Sequence, residues 1–180
     1  VYVNNLTGCS ELSMDFNNPL VMYAAMWEHQ RLPWKVISGG LGSGLYKTTD
    51  GGITWNQIHE GLPKEKGKMA IAVSRSNSEK VYALVESDSN KELGGLFVSN
   101  NAGKKWFKIS SDHSLIQRAW YYIELFIDPS DEEKLYVLNA SAQRSIDGGK
   151  TWSRITGTHG DHHDLWINPN NNKNMIIAND

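Results

Sequence analysis

The octapeptide SIDGGKTW at 145–152 returns twice upstream, as TTDGGITW at 48–55 and SNNAGKKW at 99–106. One copy is compatible with a chance turn; three, each ending on tryptophan, mark a repeated structural unit. A second element recurs ahead of each box. A polar loop is followed eight residues later by an apolar strand, which pairs Asp15 with Tyr23, Ser74 with Tyr82, Asp128 with Tyr136 and Asn168 with Ile176.

Each unit therefore contains a short run before the loop (ELSM, MAIAV, YYIELFI, HDLWI) and an apolar strand after it (VMYAAMW, VYALV, LYVL). A third strand leads into the box (GLYKT, GLFVS) and a fourth leaves from its tryptophan (TWNQI, KWFKI, TWSRI). No apolar stripe of period 3.6 is long enough for a helix. The loop residues 15, 74, 128 and 168 are 59, 54 and 40 residues apart. Four-stranded units at that spacing predict an all-β fold, a β-propeller segment of antiparallel blades joined by box hairpins. The chain divides into the end of a preceding blade (1–10), three blades (11–60, 67–110 and 118–157) and the first half of a further one (159–180). VYVNN at the start reads as the outermost strand of that preceding blade. The ring is incomplete, so the expected partners begin with further blades of the same longer chain.

The box itself reads as structural. Asp50 and Asp147 can accept backbone N–H groups within the turn, and the glycines after them supply positive φ. Trp55, Trp106 and Trp152 are expected to pack between neighbouring blades. The second copy carries Asn101 and Ala102 in place of Asp and Gly, which keeps an acceptor oxygen but fixes the hairpin less firmly. Length varies mainly between the second and third strands. There the first unit inserts EHQRLPWKVISGGLGSG, read as a flexible loop tip because its glycine run leads into a strand and not into a phosphate-binding helix.

Composition narrows the function classes. A formal charge of −2 gives no electrostatic grip on nucleic acid or on an anionic membrane. No apolar run approaches the roughly 20 residues of a membrane span. Cys9 is alone, so it forms no intrachain disulfide. No pattern calls for a cofactor. The Asn-rich tract 168–174 offers no acidic ligand for calcium. Asn5-Leu6-Thr7 and Asn139-Ala140-Ser141 fit the N-glycosylation pattern, which arises easily by chance.

The pattern [S/T]-x-D-x-G-x-T-W resembles the Asp-box, or bacterial neuraminidase repeat, over almost the whole chain. GSGLYKTTDGGITW, GLP at 61–63, YVLN at 136–139 and HGDHHDLWINP look like the large secreted bacterial propellers labelled glycosyl hydrolases and related to sortilin. The resemblance implies export, to the periplasm, the cell surface or beyond, and a box on the blade periphery away from the ligand. Such propellers include sialidases, glucanases and non-enzymatic receptors. The five scattered arginines and the lack of a FRIP-like motif speak against a sialidase. No glucanase carboxylate motif can be matched residue by residue.

Two lead-ins to inner strands stand out. RAWYYIEL at 118–125 clusters Arg118, Tyr121, Tyr122 and Glu124; HGDHHDLW at 159–166 holds His159, Asp161, His163 and Asp164. Neighbouring blades are expected to bring the two together at the channel mouth. Arg118 and the tyrosines suit sugar or peptide contact, against a bland reading as blade packing. Asp161 or Asp164 is the candidate acid or base for a glycosidic bond. His159, Asp161 and His163 would share one face of an extended strand, a weak metal set that matches no zinc signature. Against these stands a polar network that merely ties the strand to its neighbours. The sequence thus supports a binding or scaffold module for a glycan, peptide or cell-envelope protein, with a glycoside hydrolase as the alternative.

Overall fold

The computed structural model describes residues 1–87, 90 and 92–180. The first sheet contains β1 (Thr7–Met14), β2 (Met22–Leu32), β3 (Lys35–Ser38), β4 (Gly44–Thr48) and β5 (Asn56–Ile58) in the order β1-β2-β4-β5, with β3 paired to the far half of β2. The second contains β6 (Met69–Val73), β7 (Val81–Val85), β8 (Gly95–Ser99) and β9 (Phe107–Ser110). The third contains β10 (Glu124–Asp128), β11 (Asp131–Leu138), β12 (Ala142–Ser145) and β13 (Ser153–Arg154). β14 (His162–Ile167) and β15 (Met175–Asn179) form a two-stranded sheet. All pairings are antiparallel, and the innermost strands β1, β6, β10 and β14 contact one another in sequence. This is the blade arrangement of an open β-propeller, with no sheet closed on itself.

Two details differ from the sequence reading. Residues 1–6 contain no strand, because the Asn4 carboxamide accepts the Leu6 N–H and the Thr7 hydroxyl and turns the chain straight into β1. The long insert is not a loose tip: β2 runs on to Leu32 and pairs with β3 from His29↔Ser38 to Leu32↔Lys35. Its glycine run is engaged by partners within the insert and at Lys66. Gly39 N–H donates to the Glu28 carbonyl, Gly40 N–H to the Lys66 carbonyl and Gly42 N–H to the Glu28 carboxylate, leaving no cradle for phosphate.

The three boxes share one hydrogen-bond scheme. The hydroxyl of Thr48, Ser99 or Ser145 donates to Asp50, Asn101 or Asp147 and accepts the N–H of the glycine four residues after it. The acid or amide then accepts the N–H of Thr54, Lys105 or Thr151. Thr54 and Thr151 add a hydroxyl bond that Lys105 cannot make. Ala102 adopts φ 55, the left-handed conformation its glycine counterparts take freely, at a cost of roughly 1–2 kcal/mol. Gly51, Ala102 and Gly148 donate N–H to the carbonyls of Leu20, Glu79 and Glu133, so each box clamps the first loop of its own blade.

The core lies between blades. One layer joins Tyr23, Ala25 and Leu45 to Ile71, Ala83 and Trp106; a second joins Tyr82, Leu84 and Leu96 to Leu125, Leu135 and Val137, with Trp152 against it. A third joins Tyr136 and Leu138 to Leu165. Trp106 and Trp152 therefore pack towards the blade before their own, whereas Trp55 belongs to none of the three layers. Polar staples reinforce the layers. Ser78 donates to Asp15 across the first junction, and Asn172 to the buried Asp128 across the third.

Trp106 is 2% exposed, so Trp106→Ala is expected to cost about 3–5 kcal/mol in denaturant unfolding. Trp55→Ala should cost much less; equal losses would contradict the layer assignment. The boxes also set an acid limb. Thr54 and Thr48 hold the Asp50 carboxyl down to about 2, and Thr151 and Ser145 lower that of Asp147. A depressed folded-state value stabilises fully above the unfolded value of about 3.9, and the gain is lost as pH falls through the folded one. The double variant Asp50→Asn/Asp147→Asn should show a flatter melting temperature between about pH 4 and pH 2 than the parent.

Candidate functional site

The lead-ins to the inner strands gather at one end of the blades. A 3-10 turn at His113–Ile116, capped by the Asp112 side chain on the Ser114 N–H, delivers the chain to Arg118. Leu115, Ile116 and Ala119 anchor this segment in the layer between the second and third blades. Beyond it the backbone is bent to unusual angles. Arg118 has φ 59 and Asp161 φ 54, which with Ala102 are the non-glycine residues of positive φ among those described. Left-handed side-chain-bearing residues of this kind concentrate where structure serves a ligand.

Those two residues meet. Arg118 Nη1 lies 3.6 Å from Asp161 Oδ1, and the Tyr122 hydroxyl donates to the same oxygen. The Tyr122 bond, opposed by slight burial and assisted by Arg118, holds the Asp161 carboxyl below its usual range. Tyr122 is pushed up to about 12, first by burial and then by its bond to Asp161. Asp161 is thus an ionised acceptor at neutral pH, fixed by a phenol and a guanidinium.

Aromatic rings continue from this lock across the blade ends. Tyr122 packs against His163 at 4.7 Å between centroids and against Tyr121 at 5.0 Å, while Tyr121 neighbours Trp120 at 6.1 Å. Lys68, just before β6, donates to the Tyr121 carbonyl and places its ammonium 5.6 Å from the Trp27 ring centroid. Trp27 in turn packs against His29 at 4.2 Å. The row runs His29, Trp27, Lys68, Tyr121, Tyr122, His163 and so crosses all four blades. Trp120 and Tyr121 are about half exposed, at 43% and 52%.

Beneath the row lies a set of acids that sequence reasoning overlooked in part. Glu11, Glu124 and Asp164 each stand four residues before the loop residue of their repeat, opposite Ala25, Leu138 and Ala178. Ala70, opposite Leu84, fills the position in the second blade. Burial, then the Glu124 carboxylate, push the Glu11 carboxyl well above its usual range. Burial also raises Glu124, with Lys68 opposing and Asp164 adding. Glu11 accepts the Ile71 N–H at 3.0 Å and so plugs the inner edge of β6. The signal is an acid followed by leucine at one offset in three repeats, outside the boxes and second strands that define the unit. Trp27, His29 and Lys68 carried no such signal, because their proximity arises only when three blades are placed side by side.

β14 begins at His162, so Asp161 lies in the turn before it and not on a strand. The shared face expected for His159, Asp161 and His163 is therefore lost. A bulge between His162 and Asp164 swings His163 towards Tyr122, its Nε2 3.5 Å from Asp180. Among the described residues no three His, Cys, Asp or Glu side chains are placed to hold a metal ion. His159 is exposed, and its field is the smallest of those that lower the Asp161 carboxyl. Asp164 accepts the N–H of Leu165 at 2.8 Å. Asn139 of the second glycosylation pattern is fully buried, which closes it to modification in the folded chain.

The BNR/Asp-box repeat model matches residues 46–57 and 143–154. No curated protein matches the sequence. Among solved structures, a GH74 enzyme of Niastella koreensis superposes with a TM-score of 0.63 at 17% identity, covering 91% of this chain and 25% of that one. The GH74 xyloglucanase of Xanthomonas campestris gives 0.60 at 16% identity, covering 88% and 25%. YCF48 bound to a D1 peptide gives 0.54 at 14%, covering 94% and 46%. At these identities the likeness concerns the fold. The chain spans about a quarter of the GH74 enzymes and under half of that YCF48 chain.

Removing the Tyr122 hydroxyl deletes the main influence that lowers Asp161. Tyr122→Phe should therefore raise the Asp161 pKa, followed by carboxyl-carbon NMR, while Arg118→Ala should raise it less. An unchanged Asp161 titration in Tyr122→Phe would contradict the hydrogen bond.

Proposed function

We propose that this chain is part of an Asp-box propeller whose blade ends form a binding platform for an extended glycan. The observation that carries the reading is the aromatic row from His29 to His163, interrupted by Lys68 and flanked by Arg118. Sugar rings present C–H faces that pack on aromatic faces and hydroxyl rims that bond to charged side chains. A row several blades long suits a chain of such units better than one compact ligand. A xyloglucanase and a peptide-bound propeller among the fold relatives support a polymer-binding role, with a peptide or a cell-envelope protein as the competing occupant. Further blades of the same longer chain would complete the platform, and export would place it where such polymers occur. No helix of the described residues is long and apolar enough to cross a membrane.

The raised carboxyls of Glu11 and Glu124 favour hydrolysis as a second reading. Burial raises both, with the Glu124 carboxylate adding to the rise of Glu11 and Asp164 to that of Glu124, and an acid whose ionisation is hindered in this way suits the proton donor of glycoside cleavage.

The protein carrying these residues should bind immobilised xyloglucan or another neutral polysaccharide. Tyr121→Ala and Trp27→Ala should each weaken that binding roughly 2- to 10-fold. Retention of peptides and rejection of every glycan would overturn the reading. New reducing ends from the parent, lost in Glu124→Gln or in Asp161→Ala/Asp164→Ala, would make the platform part of an enzyme.

A further inference from the structure

The residue beneath the Arg118–Tyr122–Asp161 lock is not one that touches a ligand. Asn139 follows the last residue of β11 and is 0% exposed. Its side-chain amide donates to the carbonyls of Ser114 at 2.9 Å and Leu115 at 3.1 Å, inside the 3-10 turn that leads to Arg118. Its carboxamide oxygen accepts the Ser141 N–H at 3.0 Å, which curls the chain back on itself. In that curl the Asn139 carbonyl accepts the His162 N–H and the Ala140 carbonyl accepts the Asp161 N–H. One side chain thus holds the loop that carries Arg118 and Tyr122, and its own backbone holds the loop that carries Asp161.

We propose that Asn139 is the positioning residue of the platform, fixing the Arg118–Tyr122 loop of the third blade against the Asp161 loop of the fourth. The chemistry is specific to a carboxamide. Two donors on one planar group meet two carbonyls of a single tight turn, while the oxygen points the other way into the curl. Aspartate at this place keeps the acceptor but turns a negative charge on the Ser114 and Leu115 carbonyls. Alanine removes the side-chain donor to the Leu115 carbonyl and leaves the Ser114 carbonyl to Gln143, whose amide reaches it at 3.5 Å and the Ser114 hydroxyl at 3.2 Å. Both loops sit at left-handed residues, so release of either tether lets the backbone relax and separates Arg118 from Asp161.

The inference rests on the platform reading for its purpose but is tested without it. Amide exchange is measured by mass spectrometry on the parent, Asn139→Ala and Asn139→Asp. Segments 112–123 and 158–164 should both exchange about tenfold faster or more in the variants at pH 8, while 69–85 in the second blade stays as in the parent. In Asn139→Asp the protection should return as pH falls from about 8 to 5, because a protonated carboxyl can again donate to one carbonyl. The parent is measured at both pH values as the control. Binding of a xyloglucan oligosaccharide should fall at least about tenfold in the same variants and recover with the same pH change. Acceleration confined to 112–123, spread over all blades, or absent would overturn the proposal. Should Asn139→Ala not fold, Asn139→Asp at the two pH values gives the comparison within one folded protein. If the parent fails to bind the oligosaccharide, the glycan reading falls while the exchange result still decides the role of Asn139.

Discussion

A blade is a small sheet with apolar side chains on both faces, and it cannot bury them alone. Burial follows position in the stack. In the second blade, flanked on both sides, every residue of β6, β7 and β8 is buried, whereas β15 has one half-buried residue among exposed ones. The layers between blades are therefore the core, and the box serves them. Its hydrogen-bonded turn sets the tryptophan at a fixed height, and its first N–H after the acid or amide grips the blade's inner loop. The copy with Asn101 and Ala102 keeps the geometry and gives up one hydroxyl bond, and its Trp106 is the most deeply buried of the three.

Because the layers and boxes carry stability, the lead-ins to the inner strands are free to carry polar and strained features. Two of the three non-glycine left-handed residues among those described stand there and contact each other. Two inner strands are bulged near the same end, between Cys9 and Glu11 and between His162 and Asp164. The first bulge aims Ser10 and Glu11 at β6, where they bond the Met69 carbonyl and the Ile71 N–H. The second turns His163 onto Tyr122. A bulge costs some regular pairing and gains a re-aimed side chain. Raised Glu11 and Glu124, lowered Asp161 and raised Tyr122 all lie within this one region, where burial and neighbouring charge act together.

The repeat was legible because its signals are local: an acid, two glycines and a tryptophan within eight residues, and a loop-to-strand offset that recurs. The same locality made Arg118, Tyr122 and Asp161 stand out, each in a dense cluster. Local reading failed where a residue's meaning depends on a neighbour far along the chain. The insert looked loose because its glycines have no partners nearby in sequence, yet Gly40 bonds to Lys66. HGDHHD looked like an alternating strand because pattern alone shows neither the turn at Asp161 nor the bulge at His163.

By itself, the sequence determined the fold class and the place of the box turns, since short-range hydrogen bonds and strand periodicity suffice for these. Only the tertiary structure decided which rings form one row, which acids are raised by burial and neighbouring charge, and that Asn139 lies beneath two loops. Those facts depend on the rotation of one blade against the next, set by side-chain packing in the layers between them. No short stretch of the chain encodes that rotation, because it is the joint result of residues contributed by two blades at a time.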